Sequence, residues 1–208
     1  MESHALGLYV AASLALIATP GQDMIYVITR SLAQGRFAGL CSAVGVCLGI
    51  LVHTALAALG VGAILQASES LFVLLKLAGA AYLVYLGLRM VLSRRAATLE
   101  IAARVPLAPL SLVWQGVLSN VTNPKIVLFF FAFLPQFVSP ASAHPTRDLI
   151  FLGVLYAALA LPIKISVGLA AGSVSERVLQ SSTAFKWMNR IGATVLIALG
   201  LRLAGTDR

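Results

Sequence analysis

Ala18-Thr19-Pro20-Gly21-Gln22-Asp23 lies inside the first long apolar run of the chain, where a lipid-facing helix should carry neither a Pro-Gly break nor an acid. Thr19-Pro20-Gly21-Gln22 reads as a helix start: Thr19 as N-cap, Pro20 at the first helical position, and Gln22 completing a Thr-x-x-Gln capping box. A helix start about 21 Å into a span makes that span discontinuous. Asp23 then falls in the first turn of the second half-helix, where the positive end of the helix dipole favours a carboxylate. A second break, Asn120-Val121-Thr122-Asn123-Pro124-Lys125, interrupts the first apolar run of the C-terminal half. Asn123 reads as its N-cap, Pro124 as its first helical residue, and Lys125 puts a base where the first break has an acid.

The surrounding composition places both breaks in a membrane. Of the 208 residues 60 % are apolar and only 11 % charged, and the mean hydropathy is +0.95; a soluble domain carries roughly a quarter charged residues. Apolar runs at about 5–28, 38–64, 71–92, 108–134, 148–172 and 185–205 give six expected spans, which leaves no room for a soluble catalytic domain. The net charge of +8 sits between these runs rather than on a soluble face, so it reads as topology and not as nucleic-acid binding. The connections after spans one, three and five are basic, through Arg30 and Arg36, Arg94, Arg95 and Arg104, and Arg177 with Lys186 and Arg190 following. The other two, with Glu69 and with Arg147, are nearly neutral or acidic. The positive-inside rule puts the basic connections in the cytoplasm and both termini outside. No Lys or Arg precedes the first run, so it reads as a retained span and not a cleaved signal.

The third and sixth runs are related. Gly79, Ala80, Leu83, Leu86, Gly87, Leu88 and Arg89 recur as Gly192, Ala193, Leu196, Leu199, Gly200, Leu201 and Arg202 at one constant offset. With the two Pro breaks, this points to a single transmembrane domain over 1–208 made of two three-span repeats, 1–92 and 108–205, joined by a basic linker at 93–107. An odd number of spans per unit inverts the second copy, an architecture of many secondary transporters. Gly45-x-x-x-Gly49 and Gly168-x-x-x-Gly172 suit close helix packing inside the chain, with a homodimer face as the alternative use. The stretch 173–184 reads as an interfacial turn or short helix. Tyr9, Trp114, Tyr156 and Trp187 suit interface anchors, and Lys76 is expected to snorkel.

Between inverted halves, the two half-helix N-termini point at each other across the midplane and suit an anion. Lys125 adds a positive charge and Asp23 could receive an ammonium, so the pair is complementary to a zwitterion, an amino acid above all. A mutual ion pair of Asp23 and Lys125 is the alternative for the empty site. Asp23, the only carboxylate deep in any span, is the first candidate for a proton carrier. Asn120, Asn123 and Gln22 flank the charges at the two breaks. His53 could relay a proton or hydrogen-bond substrate, with a packing histidine as the alternative, and Lys164, after Pro162, lines the pathway or pairs with Asp23. Cys41 and Cys47 match neither a redox nor a zinc spacing, and no motif supports a metal, a nucleotide, another cofactor or a covalent nucleophile.

These residues resemble the lysine exporter (LysE) family, in its branch exporting homoserine, homoserine lactone and threonine (RhtB-type). The matching pieces are Thr19-Pro20-Gly21-Gln22-Asp23 with Tyr26, Arg30-Ser31-Leu32-Ala33-Gln34-Gly35-Arg36 with Gly39, Leu75-Lys76-Leu77-Ala78-Gly79-Ala80-Ala81-Tyr82-Leu83, Asn120-Val121-Thr122-Asn123-Pro124-Lys125 and Phe133-Leu134-Pro135-Gln136-Phe137. Gln22 departs from the pattern, which usually has Pro there. The resemblance implies a bacterial inner-membrane exporter of amino acids or their derivatives that uses the proton gradient, and not an enzyme. The rival class is a cation exporter or channel built on Asp23. The bases beside that single acid oppose it, since cation sites gather several oxygens.

Overall fold

The structure, a computed structural model, describes residues 3–61, 69–92, 106–139, 142–172 and 182–205. Among these residues it is all helix and turn, without a strand. The first apolar run forms α1 (Ser3–Ala18) and α2 (Gln22–Gln34), which meet at 47° across the Pro20-Gly21 break. Gly35 ends α2 at φ 85°, a left-handed conformation open to glycine, and its N–H reaches the Ser31 carbonyl at 2.8 Å. This tight turn leads directly into α3 (Arg36–Leu56), which runs on through a π turn at Ala57–Val61. After α4 (Glu69–Leu92), the second broken run gives α5 (Pro109–Val121) and α6 (Pro124–Leu128). A π turn and a 3-10 turn carry α6 on to Phe137, and the pair bends by 54°. Helices α7 (Pro145–Ala171) and α8 (Ser182–Gly205) complete the chain. Pro162 is accommodated within α7 without ending it.

Arg36–Gly60 and Pro145–Ala171 are each long and apolar enough to cross a membrane, and each bent pair passes the same test if taken as one span. The outer faces are apolar, with Leu59, Leu92, Leu110, Trp114 and Leu118 all exposed. Such a surface would aggregate in water and suits contact with lipid chains. The interior is equally apolar: Tyr9, Phe129, Phe130, Phe133, Phe137 and Tyr156 interlock, with Phe129 and Tyr156 centroids 4.8 Å apart. Tyr9 and Tyr156 are therefore core residues and not interface anchors, because the Tyr9 hydroxyl finds its acceptor inside, at the Leu152 carbonyl 2.7 Å away. Lys76 is likewise buried within α4 and does not snorkel. The Trp187 side chain, most of the 93–107 linker and most of the 173–184 stretch lie outside the described residues.

Small residues set the helix spacing. A Cβ on Gly45 would collide with the Val113 backbone of α5, and one on Gly116 would lie 2.8 Å from the Ser42 carbonyl of α3. Gly39 and Gly168 bring the α3 and α7 backbones together, and the Ser31 hydroxyl donates to the Gly168 carbonyl. The glycine pairs of α3 and α7 are thus used inside the chain. The α4–α8 contact is reciprocal. A Cβ on Gly87 would lie 2.9 Å from the Ala193 carbonyl and against Ile197, while one on Gly200 would lie 2.8 Å from the Ala80 carbonyl and against Val84. Ala80, Val84 and Gly87 correspond to Ala193, Ile197 and Gly200 at the same constant offset found in the sequence, so each helix meets its counterpart through equivalent residues.

Candidate functional site

The two breaks touch. Asn123, the residue before α6, is in an extended conformation and its side-chain oxygen accepts the Lys125 backbone N–H at 3.1 Å, an N-cap with Pro124 at the first helical position. That leaves the Asn123 amide free to donate across the chain to Asp23 Oδ1 at 3.0 Å. One residue back in each break, Gln22 Nε2 donates to Thr122 Oγ1 at 3.1 Å, tying the same two breaks together at a more exposed level. Asp23 itself sits in the first turn of α2.

The first break differs from the capping box expected at Thr19. Gly21, extended at φ −155° and without a side chain to cap with, precedes α2, which starts at Gln22. Thr19 belongs to the end of α1: its N–H bonds the Ala15 and Leu16 carbonyls, and its hydroxyl donates back to Ala15 at 2.7 Å. A hydroxyl so close to its own preceding turn finds that carbonyl before it can reach forward past Pro20. The dipole argument for Asp23 is unaffected, because the acid stays in the first turn of the second half-helix.

The ion pair of the site is Asp23 with Lys164, Oδ2 to Nζ 2.9 Å, and not Asp23 with Lys125. Lys164 comes from α7, two residues past Pro162, and is 1 % exposed; Asp23 is 2 % exposed. Lys125, 4 % exposed, instead places its ammonium on the carbonyls of Leu16 at 3.1 Å and Thr19 at 3.0 Å. The Leu16 carbonyl takes the Thr19 N–H at 3.2 Å but lacks the helical donor four residues on, because Pro20 has no N–H, and at the negative end of α1 a cation adds the missing partner. Gly21 makes this approach feasible: a Cβ on it would sit 3.1 Å from Lys125 Nζ and 3.4 Å from Asp23 Oδ1. The site is thus Asp23 between two lysines, with Asn123 joining the breaks.

A second polar layer lies beside it. His53 of α3 approaches the Asn120 carbonyl through Nε2 at 3.2 Å and packs on Phe130 at 5.7 Å between ring centroids. His53 Nδ1 and both side-chain atoms of the fully buried Asn120 have no hydrogen-bond partner. Asn120 stands over Gly49, where a Cβ would lie 2.7 Å from its own Cβ. Cys47 and Tyr156 are within electrostatic range of Asp23. No sequence signal marked these two or the Leu16 and Thr19 carbonyls, although a helix ending at Pro20 implies orphan carbonyls in need of a donor. Among the described residues no three His, Cys, Asp or Glu side chains gather as a metal site would.

Residues 14–206 match the family described as LysE type translocator. An uncharacterized membrane protein of Pseudomonas aeruginosa is 34 % identical over 94 % of this chain and 93 % of its own. The homoserine/homoserine lactone efflux protein of Salmonella typhimurium is 28 % identical over 94 % of each chain. The leucine efflux protein of Salmonella choleraesuis is 28 % identical over 65 % of this chain and 64 % of its own. No solved structure matches. A match that covers both helix breaks, Asp23 and the two lysines shows that this chain belongs to the LysE family of translocators.

Proposed function

We propose that the chain is a secondary transporter that exports amino acids or their derivatives from the cytoplasm across the bacterial inner membrane by proton antiport. It is built as six spans, with α1–α2 and α5–α6 as broken spans and α3, α4, α7 and α8 as continuous ones. Repeats 1–92 and 108–205 are inverted about an axis in the membrane plane, which the reciprocal α4–α8 contact supports. The basic connections face the cytoplasm and both termini the periplasm. The observation that carries the reading is the hydrogen bond from Asn123 to Asp23, which brings the two helix breaks to one buried point. Two discontinuous helices meeting there form the type of midplane site at which such folds bind solute.

Asp23 is the exchange point. An incoming proton on its carboxylate breaks the pair with Lys164, and so does the ammonium of an amino acid taking the place of Lys164. Proton and substrate thus compete for one carboxylate, the requirement for exchange in opposite directions. Relatives named as efflux proteins for homoserine, its lactone and leucine support the substrate class. Asn120, His53 and Gln22 border the same space as further substrate contacts. Cells expressing Asp23→Asn should accumulate the exported amino acid as a deletion strain does, with export normalised to the amount of the protein in the membrane. Undiminished export by that variant removes Asp23 from the coupling step.

A further inference from the structure

We propose that α2 is the cytoplasmic gate of the transporter, held shut by a ladder of side-chain hydrogen bonds from Tyr26, Arg30 and Gln34 to α5 and the residue leading into it. This rests on the export reading above and assigns the element that admits solute from the cytoplasm.

Tyr26, Arg30 and Gln34 recur at every fourth position and so share one face of α2. The Tyr26 hydroxyl donates to the Leu112 carbonyl at 2.7 Å, the Arg30 guanidinium donates to Gln115 Oε1 at 2.9 Å, and Gln34 Oε1 accepts the Leu107 N–H at 2.8 Å. Arg30 also lies over the Tyr26 ring, 5.9 Å from its centroid. The neighbours of α2 are a fixed frame. Gly45 meets the Val113 backbone, and Gly39 meets Gly168, so α3, α5 and α7 interlock too closely to slide past one another. The half-helix α2 is different: it has 13 residues, with the Pro20-Gly21 break at one end and Gly35 at φ 85° at the other. Both ends are turns, and the ladder and the Ser31 bond to the Gly168 carbonyl hold it to the frame by side chains. Its first turn carries Asp23, paired with Lys164 of α7. A proton or a substrate ammonium that breaks this pair therefore frees α2 at its inner end, and the ladder decides whether the rest follows. The opposite end of the molecule is shut by different chemistry. There Tyr9, Phe129, Phe133 and Phe137 pack ring on ring, and the Tyr9 hydroxyl turns to the Leu152 carbonyl of α7. With both ends closed, Asp23, Lys125 and Lys164 are buried.

Cys47, buried in α3 within electrostatic range of Asp23 and Lys164, is the reporter. The full-length chain with Cys41→Ser, which leaves Cys47 as its one thiol, is exposed to a charged, membrane-impermeant thiosulfonate. Inverted vesicles present its cytoplasmic face to the reagent and right-side-out vesicles the other. Tyr26→Phe should raise the rate of Cys47 modification on inverted vesicles about five-fold, and Tyr26→Phe with Gln115→Ala about thirty-fold, the shifts in open population set by one and two net hydrogen bonds. Tyr9→Phe, the same loss of a hydroxyl at the other end, should leave that rate unchanged. No rise in the double variant, an equal rise with Tyr9→Phe, or a rise from both faces overturns the proposal. Uptake of radiolabelled amino acids is measured separately on the inverted vesicles. The gate order without amino-acid transport defeats the export reading alone, and transport without the gate order defeats this inference alone.

Discussion

Replacing Asp23 by Asn removes the single acid from a buried cluster that contains two bases. At a separation of 2.9 Å, the attraction between Asp23 and Lys164 is about 6 kcal/mol at an effective dielectric constant of about 20. Desolvation of the two ions offsets much of it, and removing one partner from a buried pair costs about 3–5 kcal/mol because the other charge is left unpaired. In a chain of this length each kcal/mol is worth about 2–4 °C, so Asp23→Asn should lower the unfolding midpoint by about 6–20 °C. Lys164→Gln alone should also destabilise. The double variant should recover most of the loss, with a coupling of at least about 2 kcal/mol, since neither residue then strands the other. Thermal unfolding of the purified proteins in one detergent, read by tryptophan fluorescence, completes the cycle. Losses that add within about 0.5 kcal/mol would show that the two residues act independently and refute the ion-pair account.

Gly45→Ala should destabilise by about 1–3 kcal/mol, because its methyl group overlaps the Val113 backbone, whereas Gly7→Ala, in open space within α1, should gain about 0.5–1 kcal/mol; the same melting assay compares them. Asn123→Ala loses both the cap on Lys125 and the donor to Asp23 and should cost about 1–2 kcal/mol. Thr19→Val removes only a bond back to the preceding turn and should stay within about 0.5 kcal/mol, a contrast that thermal unfolding of the two variants checks directly. Asn120→Leu replaces an unpartnered buried amide with an apolar group of similar size and should raise stability by about 1 kcal/mol while lowering export in a cell accumulation assay. A more stable variant with full export would mean that the Asn120 amide does not meet substrate.

What could be read from the sequence was what local chemistry decides. Pro20-Gly21 and Asn123-Pro124 cannot sit within an unbroken helix, so both breaks were legible, as was the cap at Asn123, where the accepting side chain and the donating backbone N–H are two residues apart. Thr19 looked equally suited to capping. Its choice depended on a competition between a carbonyl four residues behind and amides ahead, and Gly21 left the forward direction without a side-chain cap. Partner choice was the less legible level. Lys125 and Lys164 both looked able to pair with Asp23, and which one does follows from how α7 is turned about its axis and where the frayed end of α1 leaves its carbonyls. Neither quantity is encoded in spacing along the chain. Tyr9 and Tyr156 misled for a related reason: an aromatic ring with a polar tip suits a membrane interface, but the Leu152 carbonyl gives Tyr9 an acceptor in the core.

The central claim is that Asp23 exchanges a proton for an amino acid between the two breaks. Inverted membrane vesicles carrying the chain, given radiolabelled neutral amino acids, test it by measuring uptake with and without an inward-acid proton gradient. The account predicts gradient-dependent uptake that a protonophore abolishes and that Asp23→Asn lacks. Uptake that is indifferent to the gradient, or undiminished in Asp23→Asn vesicles, would contradict it.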